Sequence, residues 1–338
     1  MQIILLSGGS GKRLWPLSND VRSKQFIKIL TTDNGSSELD SRQSMVQRVF
    51  AQIRKAQPQA EITIGTNASQ VDIIKEQLGS DINIVLEPER RDTFPAIALA
   101  CAYLSSEKKV SEDETVIVLP CDPYTEVDFF KTLSNLDKII SANKADISLI
   151  GIKPNMPTSK YGYIVPGNEI GGGVYNVSHF VEKPEEEKAA KLINEESAYW
   201  NSGIFAFKLG YVLNIARSNA QFTDFNDLYK NYNKLEKISF DYKVVEKTKR
   251  IAVVPFLGKW TDIGTWRALA DEMPFNTLGN IIKEKNNNTF IVNELDIPII
   301  VLGAKDLIIA ASSDGILISD FNESTNLKTY IDKIEKKV

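Results

Sequence analysis

Three glycines and two cations follow an apolar run near the start of the chain, in IILLSGGSGKRLWPLS over residues 3–18. Gly8, Gly9 and Gly11 carry no Cβ, so a turn built from them lets backbone N–H groups approach an anion closely. Lys12 and Arg13 add positive charge where a triphosphate would lie, and Lys24, followed by Gln25 and Phe26, adds another cation. Two familiar phosphate loops fail on spacing. A P-loop needs glycine at position 6 and Ser or Thr after Lys12, but Leu6 and Arg13 stand there. The dinucleotide fingerprint needs a third glycine where Leu14 stands. Kinase and NAD-dependent readings lose their support, and phosphate chemistry of another kind remains.

Acidic residues supply the complementary half. Asp122 follows the all-apolar run 116–119 in VLPCDP, at the strand end where open α/β sheets place their ligands. Asp262 lies in WTDIGTW, just after another β run. Taken alone, Asp122 also suits a turn cap and Asp262 an N-cap before residues 265–270. The single histidine, His179, lies in a period-two stretch, so catalysis built on imidazole is not expected. Cys101 and Cys121 form neither CxxC nor a zinc spacing, which points to a reducing cytoplasm.

The elements that must position these groups can be read from periodicity. Strand-like runs at 3–6, 62–65, 84–86, 116–119 and 147–152 alternate with helical patterns at 45–53, 95–104 and 129–142. Strands apolar on both faces and separated by helices predict a Rossmann-like, mostly parallel α/β sheet. Residues 161–182 read as a long hairpin around a Gly-rich turn, with a helix at 184–193 and further strands at 203–207 and 251–255. Past Met273-Pro274 the helical signal fades into short β runs, ending in a tail, DKIEKKV, that reads as a solvated end. The expected division is a catalytic domain over 1–273 and a small β-rich domain over 274–338. A chain of 338 residues fits that pair at roughly 150 residues per domain.

Composition agrees with a soluble globular protein, 43% hydrophobic and 25% charged. A net charge of -4 argues against a dedicated nucleic-acid binder and leaves an anionic small substrate open. The start, MQIILLSGG, has no basic n-region or cleavage site, and no apolar stretch is long enough to span a membrane.

LSGGSGKRLWPLS followed by KQF is similar to the signature of the sugar-1-phosphate nucleotidyltransferases. Its Trp15-Pro16-Leu17-Ser18 form resembles the mannose-1-phosphate guanylyltransferase branch, in the short form without a cupin domain. EPERRDTFPAIALA, VLPCDP, YGYI, FVEKP, WNSGIF, SFDYKVVEK and WTDIGTW follow in family order, and VLGAKDLIIAASSDGILISD looks like the family's small left-handed β-helix-like domain. The chain departs from the usual pattern at Ser7 (Ala), Lys12 (Thr or Glu), Ser23 (Pro), Asp92 (Asn) and Pro123 (His).

The resemblance implies transfer of a nucleotidyl group from an NTP, GTP in this branch, to a sugar 1-phosphate, here mannose 1-phosphate. The products would be GDP-mannose and pyrophosphate. UTP, CTP or ATP with glucose or heptose 1-phosphate, and a non-catalytic nucleotide-sugar-binding subunit, stay open as alternatives. A sugar phosphate oxygen is already ionised near neutral pH, so no general base is required and the work is positioning and charge neutralisation. The resemblance makes Asp122 and Asp262 the ligands of Mg²⁺, a hard cation that prefers oxygen. It sets Arg13 and Lys24 at the departing pyrophosphate. Ser7, Gly8, Gly9, Gly11, Lys12, Glu87, Asp92 and Thr93 fall on the nucleotide side. Gly162, Glu182, Lys183 and Asn201, with Asp262, fall on the sugar-phosphate side. Asp241 suits either an N-cap or a sugar contact, and a homodimer through the β appendage is the expected assembly.

Overall fold

The computed structural model describes residues 1–9, 12–31 and 42–335. Buried β-branched and aliphatic runs form a nine-stranded sheet. On one side Asn83–Glu87, Glu61–Asn67, Gln2–Leu6 and Thr115–Pro120 lie parallel in that spatial order. Tyr199–Lys208 then runs antiparallel between Thr115–Pro120 and Ile147–Ile152, and Ile251–Phe256 pairs parallel with Ile147–Ile152. The hairpin Tyr163–Gly171/Val174–Val181 closes the far edge. Gly171, Gly172 and Gly173 all have positive φ at its tip, which side-chain-bearing residues adopt at a cost.

Alternate residues of the first strand point to two separate cores. Ile3 and Leu5 join the cluster on one face, with helix Met45–Ala56, and Ile4 joins the other, with helix Thr93–Ser106. Both faces are thus covered, as the all-apolar strands required. The helical pattern at 129–142 forms two helices, Val127–Lys131 and Leu133–Ser141, interrupted at Thr132, whose hydroxyl bonds back to the Phe129 carbonyl.

The C-terminal strands stack as coils. Ile281–Glu284 pairs parallel with Ile299–Leu302, and Asn287–Asn293 pairs parallel with Lys305–Ser312, at the same sequence offset. Repetition of one offset in two ladders is what a β-helix-like coil produces. Gly315–Asp320 adds an antiparallel edge strand. The stretch expected to be a solvated end, residues 332–338, is exposed at Lys333, and 336–338 lie outside the described residues. Leu327–Glu335 is a helix, with Leu327 and Ile331 buried at the spacing that puts both on one face. Leu278, Phe290, Ile308, Leu317 and Ile331 join the same apolar cluster as Leu14 and Leu17 of the signature segment. Polar contacts reinforce this seam. Arg22 makes two hydrogen bonds to Glu294 (2.7 and 2.8 Å), and the Ser312 hydroxyl donates to the Pro16 carbonyl (2.6 Å).

Candidate active site

The carboxyl ends of the parallel strands open into a cleft of about 570 Å³. Ser7 to Gly9 follow the first strand, Glu87 ends its own strand, and Asp122 follows Thr115–Pro120. Sequence-distant residues therefore meet because their strands end on one side of the sheet. Lys12, Arg13, Lys24, Asp92 and Thr93 also line the cleft. Gly11 lies outside the described residues.

Asp262 arrives by a different route. The short strand Trp260–Asp262 pairs antiparallel with Pro123–Thr125, setting Asp262 opposite Pro123 and next to Asp122. Lys24 bridges the two, its Nζ 2.7 Å from Asp122 and 3.1 Å from Asp262. Burial alone would lower the Lys24 pKa, but the two carboxylates outweigh it and hold the ammonium above its ordinary range. The caps of the neighbouring helices come from other residues. Thr265, not Asp262, caps Trp266–Glu272, and Ser239, not Asp241, caps Phe240–Lys243. The carboxylates of Asp262 and Asp241 are thereby left for the cleft.

A second cavity, of about 210 Å³, adjoins the first and shares Asp122 and Asp262 with it. Gly162, Glu182, Lys183, Asn201 and Asp241 line it. The Glu182 carboxylate packs so closely over Gly162 that a side chain there would collide with it. One Glu182 oxygen bonds Lys183, while Oε2 is buried without a partner. Asn201 donates to Asp241 (2.7 Å), and burial, followed by the charge of Glu182, pushes Asp241 up to about 6. A carboxyl poised there can accept or donate a hydrogen bond near neutral pH. Trp260 forms one wall and touches Tyr161, which in turn packs on Trp200.

In the larger cavity, burial pushes Glu87 up to about 7, against the opposing pull of a hydrogen bond from Tyr232 (3.0 Å) and the charge of Arg90. Asp92 takes a left-handed backbone (φ 70°) and caps Thr93–Ser106 through the Thr93 N–H. The Thr93 hydroxyl accepts from Phe240 N (2.8 Å), tying this helix to the segment that carries Asp241. The Ser7 hydroxyl is enclosed and unpartnered. Lys12 pairs with Asp20 (3.1 Å). Arg90 and Tyr232 were not anticipated. Arg90 sits in the quoted EPERRDT run, where its charge was the available signal, whereas nothing local marks Tyr232.

An open α/β sheet whose strand ends bring cations and two carboxylates to adjoining cavities defines a phosphate-handling transferase. The nucleotidyl transferase family model matches residues 2–278, and the chain belongs to that family. It is 30% identical to the mannose-1-phosphate guanylyltransferase of Salmonella muenchen, over 98% of this chain and 73% of that protein. It is 31% identical to the protein of that description from Escherichia coli, over 98% and 75%. A solved structure from Thermus thermophilus, described as a mannose-1-phosphate geranyltransferase, superimposes with a TM-score of 0.77 at 25% identity, covering 99% of this chain and 98% of that one. Among the described residues no helix is long and apolar enough to cross a membrane.

Proposed function

We propose that the chain transfers the guanylyl group of GTP to mannose 1-phosphate, releasing GDP-mannose and pyrophosphate. The observation that carries this reading is that the two cavities adjoin at Asp122 and Asp262, with Lys24 between the carboxylates. GTP would take the larger cavity, against Gly8, Gly9, Asp92 and Thr93. Mannose 1-phosphate would take the smaller, with its hydroxyls on Glu182, Asn201 and Asp241 and its phosphate near Lys183. An ionised phosphate oxygen then attacks the α-phosphorus and pyrophosphate leaves in line, with Arg13 and Lys24 neutralising the charge that develops on it.

A place already built for positive charge between two carboxylates fits a divalent cation, and Asp122 and Asp262 would hold Mg²⁺. Among the described residues no group of three or more His, Cys, Asp or Glu could hold a metal alone, so phosphate oxygens would complete the ligand set. When bound, Mg²⁺ supplies charge neutralisation on the phosphates. In this proposal residues 1–273 carry the chemistry and 274–338 form the β-helix-like domain, in a cytoplasmic protein that pairs as a homodimer. Exposed Ile316 and Ile318 on the edge strand Gly315–Asp320 are consistent with pairing there.

A panel of GTP, ATP, UTP and CTP against mannose, glucose and heptose 1-phosphates, read by pyrophosphate release, tests the assignment. GTP with mannose 1-phosphate should exceed the other pairs in kcat/KM by orders of magnitude. Turnover confined to UTP or CTP would overturn the guanylyl reading. Absence of turnover with every pair, alongside nucleotide-sugar binding, would favour a non-catalytic subunit.

A further inference from the structure

A line of buried hydroxyl and amide groups runs behind the glycine turn. The Thr66 hydroxyl donates to Gln70 Oε1 (2.9 Å), Gln70 Nε2 donates to Ser23 Oγ (2.7 Å), and the Ser23 hydroxyl donates to the Gly9 carbonyl (2.8 Å). Thr66, Gln70 and Ser23 are each 0% exposed, and none of them lines the cleft. A second pin stands beside this one, where Gln25 Nε2 donates to the Ser7 carbonyl (2.6 Å). Ser23 directly precedes the turn Lys24–Phe26, yet its side chain caps nothing there. The hydroxyl is committed to Gly9 instead.

The backbone of Ser23 sharpens the point. Its φ is -64°, the angle that a proline ring enforces. Proline is also the usual residue at this place in the resembled signature. Serine has no ring to hold that angle, and its side chain is held instead by hydrogen bonds, all donating in one direction, so that each polarises the next.

We propose that Ser23 and Gln70 are positioning residues for the nucleotide. They hold the Gly9 carbonyl into the protein, away from the phosphates, and keep the turn and Lys24 in a fixed relation. The physical reason is the planarity of the peptide unit. A carbonyl and the N–H of the same plane point in opposite directions, so a held carbonyl fixes where the donor points. With the Ser7 carbonyl on Gln25, the Gly8 N–H is directed the other way. A Gly9 carbonyl released from Ser23 can rotate, and its negative end then opposes a triphosphate in the cleft.

The proposal rests on reading this cleft as the nucleotide site. Its test uses the full chain with GTP and mannose 1-phosphate. Ser23→Ala and Gln70→Met should each raise the KM for GTP about tenfold, the upper scale for one net hydrogen bond. The KM for mannose 1-phosphate should not move. The double variant should cost no more than the larger single change, because both cut the same line. Unchanged GTP KM in both variants overturns the proposal. So does an equal rise in both KM values with a matching loss of Tm, or failure of both variants to fold, since either makes the line a brace for the domain only. Wild-type turnover in Asp122→Ala would instead sink the reading of the cleft itself.

Discussion

The Lys24 ammonium lies 2.7 Å from the Asp122 carboxylate, inside the span between Asp122 and Asp262 that the proposed reaction assigns to a divalent cation. In that proposal the side chain serves two partners in turn. Without substrate it neutralises two acids that would otherwise repel each other across a short strand pairing. With a phosphorylated substrate present, the same charge is within reach of the leaving group.

Replacing Lys24 by Met should separate these duties. Mn²⁺ binding by the nucleotide-free protein, followed by electron paramagnetic resonance, should tighten at least about tenfold once the carboxylates lose their internal counter-ion. Turnover should fall at least ~100-fold, the scale for loss of a charge-stabilising group. Unaltered Mn²⁺ affinity would mean that Lys24 and the cation do not compete.

Asp122→Ala and Asp262→Ala should each lower turnover at least ~100-fold while leaving the circular dichroism spectrum unchanged. Turnover with Mg²⁺ near the wild-type rate in both variants would reject them as the metal pair.

Glu87 predicts a pH dependence with a defined sign. Its pKa is about 7 in the folded chain against 4.5 for an ordinary glutamate, so the folded state holds the proton more tightly. The contribution to stability is complete below 4.5 and is lost as pH rises through about 7. Glu87→Gln cannot lose this proton. The Tm of wild type relative to that variant should therefore fall between pH 4.5 and about 7, the window of the cited shift. A constant difference across the window would exclude the shift.

Ile331→Ala should cost about 2–4 kcal/mol in urea unfolding, as a large-to-small change in a core. A change below ~0.5 kcal/mol, the scale of a surface substitution, would mean that the C-terminal helix adds nothing to this core.

The sheet was legible because each parallel strand is apolar on both faces, as in Ile3 to Leu5 and Val116 to Leu119. Asp122 was legible because it follows such a run directly. Asp262 was harder, since its approach depends on the antiparallel pairing with Pro123–Thr125, which no local pattern announces. Tyr232 and Gln70 escaped notice, and Ser23 stood out only as a departure from proline, for the same physical reason. Each acts through long-range hydrogen bonds, and a single polar residue in an otherwise ordinary stretch has no period or composition to betray it. The helix Leu327–Glu335 went unread because Leu327 and Ile331 alone are too few to stand out as an apolar stripe.

The seam between the signature segment and the stacked coils has a further consequence. Arg22, Pro16, Leu14 and Leu17 all lean on residues from the last quarter of the chain. A truncation after Met273 would bare an oily flank and unmoor the segment next to the glycine turn. Heating should likewise melt the signature segment and the coils in one cooperative step, because they share one apolar cluster.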